Sequence, residues 1–163
     1  MRSDGDRVGE HRTSLQEIAD RLGITKPALY SHFSSREELV RSIEQPMIDE
    51  EEAFLSAQEE LPEVDPRALP EGYFDFHHRH RAEVVLMLRE LTTLAHLGLT
   101  DRVLSWRERL VKLLQGPEPT LEQATRAVIA FGGIQDCTVQ FPDAPRADLR
   151  RAAVDVACAA LGV

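Results

Sequence analysis

The chain has 163 residues, 42% of them hydrophobic and 29% charged, with a formal net charge of −9, the make-up of a globular protein rather than of a disordered tail. No run approaches the roughly 18 unbroken apolar residues of a membrane span, and Met1 to Arg12 is too polar for a secretory signal, so a cytoplasmic protein without a membrane partner is expected. Two cysteines, Cys137 and Cys158, are too few for a disulfide scaffold and lie far from any zinc spacing, so reduced thiols and no cofactor are expected.

The first helical pattern is Leu15, Ile18, Ala19 and Leu22, recurring at i, i+3, i+4 and i+7. Thr13 or Ser14 can cap its start and Gly23 its end, which predicts a helix over about Ser14 to Leu22. Gly23-Ile24-Thr25 then forms a short turn, in which Ile24 plugs the core and Thr25 caps the next helix. Pro27 falls in the first turn of that helix, where its missing N–H matters little. Leu29 and Phe33 face inward, leaving Lys26, Ala28, Ser31 and His32 outward. Ser35 can cap a third helix, Arg36 to about Gln45, with Leu39, Val40 and Ile43 inward.

Beyond Pro46 an acidic helix is expected over Met47 to Leu61, followed by the proline-rich loop PEVDPRALPEG, Pro62 to Gly72. Four more helices are predicted at roughly Tyr73 to Leu97, Thr100 to Leu114, Thr120 to Gln140 and Arg146 to Leu161, separated by Gly98, GPEP and PDAP. No stretch alternates with period two. The expected fold class is all-α, with an N-terminal helix-turn-helix unit over residues 1–45 and a helical bundle over 46–163.

The acidity is unevenly placed. Residues 1–45 hold seven Arg/Lys against eight Asp/Glu, while 46–163 hold twelve against twenty. Arg21 to Arg36 contains Arg21, Lys26, His32 and Arg36 and no acidic residue, a locally positive patch of the kind phosphate contact needs.

Ile18-Ala19, Gly23-Ile24-Thr25, Leu29-Tyr30, His32-Phe33 and the run Ser35 to Leu39 closely resemble the DNA-binding region of the tetracycline-repressor (TetR) family of transcriptional regulators. The resemblance covers Thr13 to about Ile43. It implies that Thr25, Lys26, Ala28, Tyr30, Ser31, His32 and Arg36 face double-stranded DNA, with Lys26 and Ala28 suited to base edges and Tyr30, His32 and Arg36 to the sugar-phosphate backbone. It further implies a homodimeric, ligand-responsive regulator, more a repressor than an activator, on a palindromic operator. Family members place an amphipathic helix before the first one named above, whereas here only MRSDGDRV precedes Gly9, with Met1 and Val8 its apolar residues. That helix is therefore expected to be missing from the chain as given, and the rival expectation is a helical dimer or ligand-binding module that no longer binds DNA.

In the resembled family the C-terminal helices enclose a small-molecule effector and pair two copies. Tyr73, Phe74, Met87, Glu90, Trp106, Arg109, Phe131 and Gln135 mix large apolar groups with a few polar ones and are the candidate effector pocket. Phe131, Ile134, Leu149, Ala153, Val156, Ala157 and Ala160 are the candidate dimer interface, since small side chains admit a close partner helix. Gly132-Gly133 inside a helical pattern predicts a close backbone approach or a local break. In FHHRHR, Phe76 to Arg81, His77 and His80 form an i, i+3 pair, but no complete ligand set adjoins them and no metal site is expected. Ser, His and Asp occur in no nucleophile setting, so no enzyme is expected.

Overall fold

The computed structural model describes Thr25 and residues 33–89, 95–96 and 98–163, and everything regular among them is helical. Six helices follow in order: α1 Arg36–Glu59, α2 Ala68–Arg79, α3 Arg81–Arg89, α4 Leu99–Gln115, α5 Leu121–Gln140 and α6 Arg146–Leu161. None of the described helices is long and apolar enough to cross a membrane.

Ser35 caps α1 as expected, its hydroxyl accepting from Glu38 N–H at 3.1 Å, while the Glu38 carboxylate accepts from the Ser34 N–H and hydroxyl. The expected break at Pro46 is absent: α1 runs unbroken for 24 residues, with Pro46 inside it. An interior proline costs a helix about 3 kcal/mol. Val40 lies before it and Met47, Ile48 and Leu55 after it, all 2% exposed or less. Burying each is worth about 1.5–3 kcal/mol, so tertiary packing outweighs the local penalty.

α2 starts five residues before the expected Tyr73. The Asp65 carboxylate accepts from the N–H groups of Arg67 (2.8 Å) and Ala68 (3.0 Å), closing the loop onto the helix start. Pro70 then sits in the first turn, where no intrahelical donor is lost. The expected single helix Tyr73 to Leu97 is interrupted at His80, whose ring bonds Glu50 of α1 at 2.8 Å. From this bend α3 turns Val84 and Met87 into the core.

The remaining boundaries follow the punctuation. Gly98 (φ +70) precedes α4 and Gly116 (φ +83) ends it, the latter donating to Lys112 C=O at 2.9 Å. Thr120 and Gln123 form a complete capping box at the start of α5. α5 continues without a break through Gly132 and Gly133. It lies at the centre, pairing with α6 and packing against α2 and α4, while α1 lies along α4 and α3. The core runs between these layers around Phe74, Leu110, Ile134 and Val84.

Candidate ligand cavity and helix-pair face

Of the residues placed toward DNA, Thr25 is exposed and Arg36 is the first residue of α1. Lys26, Ala28, Tyr30, Ser31 and His32 lie outside the described residues, as does the stretch before Gly9.

A cavity of about 20 Å³ lies where five helices meet, room for about one water. From α1 it is lined by Met47 and Glu51, from α2 by Tyr73 and His77, and from α3 by Val84 and Met87. α4 contributes Val103, Trp106, Arg107 and Leu110, and α5 Gln135. The helical repeat explains the set: Met47 and Glu51, like Tyr73 and His77, are four apart and share one face of their helix.

Four of the pocket residues expected from sequence, Tyr73, Met87, Trp106 and Gln135, are therefore brought together. Phe74 is fully buried and stacks on His78 at 5.6 Å. Phe131 stands behind Tyr73, edge-on at 5.0 Å. Arg109 turns away into a clamp with Glu52 (2.6 Å) and Glu59 (2.7 Å) of α1. Glu90 lies outside the described residues.

Three polar lining residues were not anticipated there. Glu51 is only 6% exposed and has no hydrogen bond or ion pair among the described residues. Burial pushes its carboxyl up to about 8, against a smaller opposing pull from Arg107. Burial likewise presses His77 down to about 4, so its ring is neutral near pH 7. Its Nδ1–H donates to Tyr73 C=O at 3.1 Å, which leaves Nε2 as an acceptor. The Tyr73 hydroxyl is held protonated by burial. Arg107 donates from Nη2 to Gln135 Oε1 at 3.2 Å and forms no ion pair among the described residues. Trp106 is fixed from behind, its Nε1–H donating to Glu52 at 3.0 Å.

The histidine run divides between roles. His77 faces the cavity, His80 pairs with Glu50, and Arg79 pairs with the same carboxylate. Among the described residues no three His, Cys, Asp or Glu groups are placed to hold a metal ion.

A second concavity, about 320 Å³ and almost wholly apolar, runs along the outer side of α5 and α6. Ile134, Leu149, Ala153, Val156, Ala157 and Ala160 line it, six of the seven residues expected at an interface. The seventh, Phe131, points inward and is buried. Gly133 also lines the groove, where a Cβ would meet nothing within 4 Å. At its margins Val156 is 71% exposed, Ile129 62% and Phe141 54%.

Residues 6–43 match the family described as bacterial regulatory proteins, tetR family. Among curated proteins the chain is similar to the HTH-type transcriptional activator FasR of Mycolicibacterium smegmatis, 37% identical over 73 residues, 42% of this chain and 32% of that protein. It is also similar to the HTH-type transcriptional regulator TtgR of Pseudomonas putida, 36% identical over 58 residues, 36% of this chain and 28% of that one. The matches thus span about a third of these relatives. Among solved structures, the TetR family transcriptional regulator PfmR from Thermus thermophilus superposes with a TM-score of 0.65 at 25% identity, covering 90% of this chain and 88% of that one.

Proposed function

We propose that the chain is a member of the tetR family of bacterial regulatory proteins and a non-enzymatic, DNA-binding transcriptional regulator, a reading supported by the match of residues 6–43 and by the likeness of its fold to PfmR. It acts as a homodimer on a palindromic operator, as a repressor that a small-molecule effector releases. One observation carries this: the family-matched segment ends at residue 43, inside α1, and α1 continues unbroken past Glu51 at the cavity. A single helix therefore joins the end of the family-matched segment to the cavity wall. A ligand that spreads the cavity moves Glu51 and, with it, the start of the same rod. To act as an inducer the ligand must favour the arrangement that fits DNA less well, with a coupling of about 1–3 kcal/mol. The α5–α6 groove supplies the second copy, and the two copies set the spacing of the reading helices.

Selection of binding sites from a random duplex pool by the full chain tests this. The expected outcome is an enriched sequence with two symmetric half-sites about one helical turn apart. Failure to enrich any sequence, even at low salt, would overturn it and leave a helical module that does not bind DNA.

A further inference from the structure

We infer that the cavity takes a molecule with an apolar, aromatic-sized body and a single carboxylate, the carboxylate held by the Arg107 guanidinium. This rests on the cavity being the effector site, and it adds the chemical class of the effector.

Two arginines two residues apart on α4 are treated differently. Arg109 is neutralised by Glu52 and Glu59. Among the described residues Arg107 meets only the neutral Gln135 amide oxygen, through one of its N–H groups. Its other donors have no acceptor among the described residues and suit a planar two-oxygen acceptor, the geometry in which guanidinium and carboxylate pair best. Glu51, the one carboxyl on the cavity wall among the described residues, does not take that place. It has no hydrogen bond among the described residues, and burial keeps it in the acid form near neutral pH. The groups facing it are Glu52 on its own helix, Tyr73 and His77 from α2, Trp106 and Arg107 from α4 and Gln135 from α5, while α3 presents only Val84 and Met87.

With Glu51 and His77 both neutral, the described lining residues carry the single positive charge of Arg107. An anion compensates that charge, and the acid forms of Glu51 and Tyr73 are donors to it. A cation would face the uncompensated guanidinium. The rest of the wall, Trp106, Met47, Met87 and Val84, suits an apolar body. The present volume of about 20 Å³ admits no such body, and the unbranched, flexible Met47 and Met87 are the side chains able to make room.

The test is titration calorimetry of the full chain, without DNA, against three probes with the same body: 4-phenylbutyrate, 4-phenylbutanol and 4-phenylbutylamine. The expected order puts the acid first, roughly 10- to 100-fold tighter than the alcohol, as a charge-assisted hydrogen bond gives. Arg107→Met removes that advantage and Arg107→Lys keeps part of it. Affinity for the acid falls as pH rises through about 8, and Glu51→Gln abolishes the fall. Tighter binding of the amine, lost in Glu51→Gln, overturns the class of ligand while leaving the cavity as the site. Binding of the acid that neither Arg107→Met nor the cavity-filling Val103→Trp alters overturns the cavity itself as the site. No binding of any probe also overturns the inference, and site selection on DNA with the same preparation decides the regulator reading separately.

Discussion

Gly72 of α2 faces the Phe54 ring of α1 so closely that a Cβ at position 72 would stand 2.9 Å from Phe54 Cε2. The ring lies against α2 at a position that has no side chain. Gly in a helix interior normally forgoes about 1 kcal/mol relative to Ala, and here the ring contact leaves no room for the methyl group without a shift. Gly72→Ala alone is expected to bring no stabilisation, because the half-buried ring must shift to admit the methyl group. In a Phe54→Ala background the same change is expected to stabilise by up to about 1 kcal/mol, the helix-propensity gain. Denaturant melts of the four proteins in a double-mutant cycle measure the coupling, and strict additivity would refute the contact.

Stability is expected to fall between pH 6.5 and 8. Burial pushes both Glu44 and Glu51 from 4.5 up to about 8. Across that interval the unfolded chain releases protons that the folded chain keeps, so each carboxyl removes about 1.4 kcal/mol per pH unit as pH rises. Below 4.5 neither has any effect. His77 works in the opposite sense. It is lowered from 6.5 to about 4, so stability rises with pH between those values and the group is silent above them. Between pH 6.5 and 8 these two carboxyls set the slope among the described groups. Thermal melts across this range should show Tm falling, and Glu44→Gln with Glu51→Gln should flatten the slope.

The C-terminal helices were legible because their ends are written in residues that act locally: Gly98, the GPEP and PDAP turns, and the Thr120–Gln123 box. The expected spans for α4 to α6 therefore lie within one residue of those observed at each end. Pro46 and Pro70 misled because their local meaning depends on where the helix lies. At position 46 the buried stripe on both sides outweighs the break, and at position 70 the residue is a first-turn proline of a helix that starts earlier than expected. Glu51 was hidden for a different reason. It is one of the four consecutive acids Asp49 to Glu52, which reads as a solvated run. Its spacing of four from both Met47 and Leu55 carried the signal that it belongs to the buried stripe. Arg107 and Arg109 show what no spacing conveys, since which of the two is neutralised depends on where α1 passes.

Glu44 is fully buried, and neither of its carboxyl oxygens has a hydrogen-bond partner among the described residues. Glu83 is the charged group nearest in effect, and it too disfavours ionisation. Leaving a buried acceptor unpaired costs about 1–3 kcal/mol. Methionine has similar length and no polar oxygen, so Glu44→Met is expected to stabilise the protein by an amount in that range. Glu44→Gln should gain much less, because its amide remains unpaired. A clear loss of stability in Glu44→Met, measured by denaturant melts, would mean that the carboxyl serves a partner.

Val156 gives a test of pairing that leaves the protomer intact. At 71% exposure on α6 it carries almost none of the core, and glutamate is at least as good a helix former as valine. Val156→Glu should therefore fold as the parent does. Across a two-fold axis the same patch meets itself, so each protomer would bring its new carboxylate to an apolar groove containing the other's. Desolvating those charges without a partner costs several kcal/mol, enough to separate an interface of ordinary strength. Light scattering is expected to give the parent chain twice its 18.3 kDa and the variant that single mass. Operator affinity should drop with it, since one reading helix then engages one half-site. A parent chain already at the single mass would remove the dimer from the proposal, and a variant that stays paired would place the interface on another face.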